Sequence, residues 1–164
     1  NSVIYFLVRR ILDVARGVPE LVYAMIFVFA FNLGPLPGVF AIAVHSMGSL
    51  GKLFSEVNEN IDWESVEGIR STGANWFQII RYAVVPQVLP NFISYAILRF
   101  EINIRASTII GMVGAGGIGV ELKFAIRQFQ YQDISAIVLM IIVVVMSLDM
   151  VCERIRHNII RKEQ

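Results

Sequence analysis

Arg99, Glu101, Asn103 and Arg105 stand within six residues of one another in a stretch that is otherwise largely aliphatic. An arginine fork matches the oxygens of a phosphoryl or carboxylate group, so the chemistry on offer is recognition of an oxyanion rather than bond-making. A charge at the centre of a bilayer costs about 2.5 to 3.5 kcal/mol on insertion scales, which sends such a side chain to a partner or a watery path. Two readings follow. In one, Glu101 and Arg105, four residues apart, form an intrahelical ion pair while Arg99 snorkels to the interface. In the other, an arginine or Asn103 lines a path for an anion, as a weak and transient site that does not trap its cargo. His45, among small residues, reads as an interhelical hydrogen-bonder, and Asp149, near the inner end of the last span, as a cap or a partner of Arg154 or another neighbour. No Ser-His-Asp, metal-spaced or paired-carboxylate arrangement falls on one side of a membrane, so neither an enzyme nor a metal site is expected. The one cysteine, Cys152, excludes an internal disulfide and reads as a small buried hydrophobe.

A second motif invites a different chemistry. Gly114-Ala-Gly116-Gly117-Ile-Gly119 is a literal G-x-G-x-x-G, preceded by β-branched residues and followed, near the distance of a ribose-binding acid, by Asp133. A dinucleotide fold needs strands and helices alternating over a whole domain, whereas apolar spans flank this run on both sides. The glycines are therefore expected to give a tight, non-helical gate or loop between a span and a short helix.

The elements that must position these residues are membrane helices. Of the 164 residues 56% are hydrophobic and 16% charged, with a mean hydropathy of +0.65, against about 25% charge in soluble domains. A formal net charge of +1 argues against a nucleic-acid partner. The first span is expected to run through Pro19 from about Asp13 or earlier, with GPLPG at 34–38 as an outer turn. A second returns over 39–54, a third leaves over 84–103, residues 104–132 form an external loop, and Asp133 caps a last span. Arg9, Arg10, Arg16, Lys52, Arg70, Arg81, Arg154, Arg156, Arg161 and Lys162 then share one side, against Arg105, Lys123 and Arg127 on the other. The positive-inside rule makes that first side cytoplasmic, with both chain ends on it. The basic residues of the ends also suit anionic lipid. Because the chain begins with Asn1, a further span or spans are expected upstream.

Between the second and third spans lies an amphipathic elbow, about 62–86. Asp62 can cap a helix from Trp63 to about Thr72, Gly73 breaks it, and Asn75 with Gln78 reads as a capping pair for a second helix. Trp76, Ile79, Ile80, Ala83 and Val84 recur at helical spacing, and Pro86 and Pro90 open the following span. This is a docking element.

The elbow resembles the cytoplasmic coupling loop of ATP-binding-cassette importer permeases. That loop reads Glu-Ala-Ala, three residues, Gly, nine residues, Ile, one residue, Leu-Pro. Here Glu67, Gly73 and Pro86 fall in register, with Gly68, Ile69, Ala83 and Val85 replacing the two alanines, the isoleucine and the leucine. VGAGGIG is shared with permeases such as those for methionine. Arg99-Phe100-Glu101, Asn103, Arg105 and Phe129-Gln130-Tyr131, in that order, resemble phosphonate-importer permeases more specifically, as does RGVPELV at 16–22. The resemblance covers the whole chain and the later portion of the family.

It implies an all-α, polytopic bundle of the type I importer permease kind, a single transmembrane domain over 1–164 with a coupling helix. The coupling residues would be Glu67, Gly68, Gly73, Ala74, Trp76 and Pro86. It implies ATP-driven alternating access for phosphonate in a bacterial inner membrane, with phosphite, another small anion or methionine as alternative cargo. An ATPase-independent secondary transporter or channel would need no such elbow. No cofactor is expected on this chain. ATP would bind a cytoplasmic ATPase dimer, and an external phosphonate-binding protein and a second copy of the chain would complete the assembly.

Overall fold

The computed structural model describes residues 2–160, and Asn1, Arg161 and Lys162 lie outside the described residues. All the regular elements among them are helical. They are α1 (Ser2–Gly17), α2 (Glu20–Phe31), α3 (Pro35–Glu59), α4 (Trp63–Ser71), α5 (Trp76–Ile79), α6 (Val85–Met112), α7 (Ile118–Arg127) and α8 (Tyr131–Ile160).

The expected first span does not run through Pro19. Pro19 lacks the amide that would continue the ladder and disfavours helical geometry at Val18. α1 therefore stops at Gly17, and α2 restarts at Glu20 at 89° to it. Both still pack on α3, which forms the spine of this half of the molecule. Ala15 and Leu12 of α1 lie where a Cβ on Gly48 or Gly51 would be, so the small residues of α3 set how closely α1 approaches. From α2, Ala24 meets Ala41 in a core completed by Ile110 and Ala115. Phe40 packs against Phe27 and Phe31, with ring centroids 5.9 and 5.6 Å apart. α3 begins at Pro35 rather than 39, because a proline without an amide hydrogen fits a first helical turn, and most of the expected outer turn is helix.

α5 runs directly on into the next span. A wide turn over Ile80–Val84 joins it to α6, with the Val85 amide bonding the Ile80 carbonyl five residues back. The added residue accommodates Pro86, which has no amide to donate. Trp76–Met112 is thus one helical run of 37 residues, and Pro86 and Pro90 lie within it rather than at its start. At about 1.5 Å per residue it is roughly 55 Å long, well beyond a hydrocarbon core of ~30 Å. It also extends nine residues past the expected boundary at 103, so Arg105 lies inside the helix and not in an external loop.

By length and composition, Trp76–Met112 and Tyr131–His157 can cross a membrane, and the bent α1–α2 pair passes as a third unit. α3, expected to be a span, has the length but carries Lys52, Glu56 and Glu59 in its last turns and is absent from that set. α8 starts at Tyr131, so Asp133 lies in its first turn rather than capping it.

Candidate functional site

Helical phase divides Arg99, Glu101, Asn103 and Arg105 of α6 into two pairs. Arg99 and Asn103, four residues apart, face α2 and α3. Arg99 Nη2 donates to Glu20 Oε1 at 2.5 Å and its Nε to Ser46 Oγ at 3.4 Å. Asn103 Nδ2 lies 2.9 Å from Ser46 Oγ, which itself lies 3.0 Å from Asn103 Oδ1. His45 Nε2 stands 3.5 Å from the same Glu20 oxygen. His45 Nδ1 is 3.0 Å from the carbonyl of Val18, a group the break at Pro19 leaves without a helical donor, so this nitrogen carries the hydrogen. Helix break, histidine and ion pair are one internal network.

The side chains of Arg99 and Glu20 are 11% and 15% exposed. Arg99 therefore does not snorkel; a carboxylate 79 positions away in sequence neutralises it within the bundle. His45 acts between helices, as its small neighbours suggest. Sequence reasoning did not name Glu20 and Ser46 as partners of Arg99: Glu20 stood only within the RGVPELV resemblance, and Ser46 only as a small residue.

Glu101 and Arg105 form the expected intrahelical pair, 2.5 Å apart, on another face. Arg105 also donates to Asp149 of α8 at 2.8 Å. Of the alternatives open to Asp149, the structure shows pairing with a neighbour other than Arg154, the Arg105 of the adjacent helix. Arg105 remains 49% exposed while holding both carboxylates.

The glycine run links α6 to α7 and is held to the α2–α3 turn by the Gly34 amide, which bonds the Gly114 carbonyl at 3.1 Å. Gly114, Gly116 and Gly117 have φ of +95°, +84° and +80°. At Gly116 a side chain would also strike Pro35, its Cβ falling 2.5 Å from that residue's Cα. Gly119 is in the first turn of α7, where its Cβ would meet the α6 backbone at Thr108 and Met112. The run is a packed turn between helices, and nothing in it has the strand–turn–helix setting of a nucleotide site.

At the opposite end of α6, the elbow is built by local capping. Asp62 accepts hydrogen bonds from the Glu64 and Ser65 amides and from the Ser65 hydroxyl. The hydroxyl bond first, then the amides, holds the Asp62 carboxyl below its usual range. Asn75 and Gln78 form the reciprocal capping box. Gly73 turns the chain with φ +80°, in open space. Val66 of α4 packs on Ile79 and Ala83, with the partly buried Ile69 and Ala74 around them. Gln87 ties the elbow to α6 by bonding the backbone of Asp62 and the Ala83 carbonyl. Glu67 and Gly68 are exposed, Gly68 without neighbours. Pro86 is exposed on the first turn of α6. Trp63, Trp76, Phe77 and Tyr82 are 61 to 76% exposed, an aromatic concentration in which sequence periodicity singled out Trp76 alone. Exposed aromatics at this density mark a contact surface.

An all-helical bundle with a capped elbow, a broken helix and a 37-residue helical run is the architecture of a type I ATP-binding-cassette importer permease. The chain belongs to the family of binding-protein-dependent transport system inner membrane components, whose profile matches residues 1–163. It is 47% identical over 149 residues to the phosphite transport system permease protein of Stutzerimonas stutzeri, covering 91% of this chain and 54% of that protein. It is 52% identical over 120 residues to a putative cryptic phosphonate transport system permease protein of Escherichia coli K12, covering 73% of this chain and 98% of that protein. The chain thus spans little more than half the length of the Stutzerimonas relative. Among solved structures, the inward-facing methionine ABC transporter superposes with a TM-score of 0.76 at 19% identity, over 97% of this chain and 77% of that one. At that identity the likeness is one of fold.

Proposed function

We propose that this chain is the membrane subunit of an ATP-driven importer that carries phosphonate across the bacterial inner membrane by alternating access. The observation that carries the reading is the elbow, where four exposed aromatic side chains flank Glu67 and Gly68 and three of them, Trp76, Phe77 and Tyr82, lie in the same unbroken 37-residue helical run as α6. A partner seated on that surface acts on α6 directly. Val66, Ile79 and Ala83 clamp α4 to its base, and the wide turn at Ile80–Val84 keeps it continuous with the span, so displacement at the elbow becomes displacement of α6. The partner would be a cytoplasmic ATPase dimer, which places the elbow and the C-terminal end of α8 in the cytoplasm. An external binding protein would deliver the cargo, and a second copy of the chain would complete the path. Relatives named for phosphite and for phosphonate support a small phosphorus oxyanion as the cargo.

The test is uptake of labelled methylphosphonate, phosphite and methionine by cells carrying the full-length subunit with its ATPase and binding protein. Phosphonate uptake that disappears without the ATPase is expected. Trp76→Glu, an exposed position whose substitution leaves the elbow core intact, should lower that uptake at least tenfold at unchanged subunit abundance. Uptake that persists without the ATPase, or is untouched by Trp76→Glu, overturns the coupling role of the elbow. Uptake of methionine alone overturns the cargo.

A further inference from the structure

Asn91, Ser94, Leu98, Glu101, Arg105 and Thr108 follow one another along α6 at alternating intervals of three and four residues, which places them on one face of the helix. All but Leu98 are polar, and none of them is fully buried. The row rises roughly 26 Å at ~1.5 Å per residue, close to the thickness of a hydrocarbon core. Its elbow end opens into a cavity of about 320 Å³ between α3 and α6, lined by Glu56, Asn60, Gln87, Asn91 and Tyr95 among others. Lipid tails offer such groups nothing, so a polar row of this length in a membrane helix faces water wherever protein, as at Asp149 of α8, does not cover it.

Within the row Arg105 is the sole cation, and its two carboxylate partners both bind the same nitrogen, Nη2. Among the described residues nothing bonds its Nε or Nη1, leaving three of its five N–H donors open on a half-exposed side chain. Arg99 is the opposite case: its Nε and Nη2 are both engaged inside the bundle. We propose that the Asn91–Thr108 face of α6 is the wall of an aqueous path and that Arg105, not Arg99, is the group on it that an oxyanion meets in transit. Glu101 and Asp149 share the guanidinium and keep that contact weak, because an arriving anion must compete with them. The assignment of the oxyanion rests on the importer reading above; the assignment of the wall does not.

Two measurements on the full-length subunit with its partners test this. In a Cys152→Ala background, Asn91→Cys, Ser94→Cys and Thr108→Cys should react with the membrane-impermeant anionic reagent 2-sulfonatoethyl methanethiosulfonate. Ile93→Cys and Phe100→Cys, exposed on other faces of α6, should not. Equal labelling of both sets, or none in the first, overturns the wall. Arg105→Gln should raise the half-saturating methylphosphonate concentration for uptake at least tenfold at unchanged complex abundance, with Arg105→Lys recovering part of the loss. Arg99→Gln should instead lower the amount of folded complex. An unchanged half-saturating concentration in Arg105→Gln overturns the role of Arg105. If the unaltered complex carries no phosphorus oxyanion the cargo reading fails, while the labelling pattern still decides the wall.

Discussion

Separating Glu20 from Arg99 tests whether this network is sealed within the bundle. The two side chains are 15% and 11% exposed and touch at 2.5 Å, so they lie near the buried limit rather than the surface one. An exposed ion pair contributes about 0 to 1 kcal/mol. Removing one partner of a buried pair costs about 3 to 5 kcal/mol, because the remaining charge has no solvent and no counter-charge. Arg99→Met and Glu20→Gln alone should therefore each cost about 3 to 5 kcal/mol, and the double variant much less than their sum. The molecule supplies its own probe: Cys152 is buried and is the sole cysteine of this sequence, so a thiol-reactive fluorophore reports its exposure as the purified subunit unfolds in detergent. With 2–4 °C per kcal/mol for chains of this size, the single variants should unfold roughly 6 to 20 °C below the parent. Single variants within 2 °C of the parent, or a double variant as damaged as the sum of the two, would refute the burial argument and return Arg99 to the water interface.

Two further outcomes follow from close packing and capping. Gly48→Val should lower the same unfolding midpoint by the equivalent of about 1 to 3 kcal/mol, since its Cβ would lie 2.7 Å from the Arg16 amide nitrogen and 2.9 Å from the Ala15 Cβ, while Gly17→Ala, in open space, should leave it unchanged. The Asp62 carboxyl is held low by its folded hydrogen bonds, so its cap is fully formed above an ordinary aspartate value of about 3.9 and is lost only as pH falls through the lower folded value. Proteolysis at the Ser71–Asn75 turn should accordingly rise only below about pH 4, whereas in Asp62→Ala it should be raised already at neutral pH; cleavage that climbs between pH 7 and 5 in the parent would show that the cap does not hold the elbow.

The elbow was legible in the sequence because its determinants are local. Asp62 and Ser65, Asn75 and Gln78, and the left-handed Gly73 each act within three residues of the backbone they shape. The pairing of Glu101 with Arg105 has the same origin, as one helical turn brings them together. Helix lengths were less legible. Pro19 ended a helix that hydropathy alone would continue, while Pro86, next to a wide turn, and Pro90, inside α6, failed to end one.

The sequence by itself determined that Arg99 and Arg105 are charges set among apolar residues and in need of partners, although it left Arg105 to a loop that is in fact helix. It did not decide which of them is neutralised inside and which stays open. That outcome depended on the phase of α6, on the break at Pro19 that brings Glu20 across α3 to Arg99, and on the packing of α8 that carries Asp149 to Arg105. These contacts join residues 79 and 44 positions apart, and only the tertiary packing of helices makes neighbours at such distances.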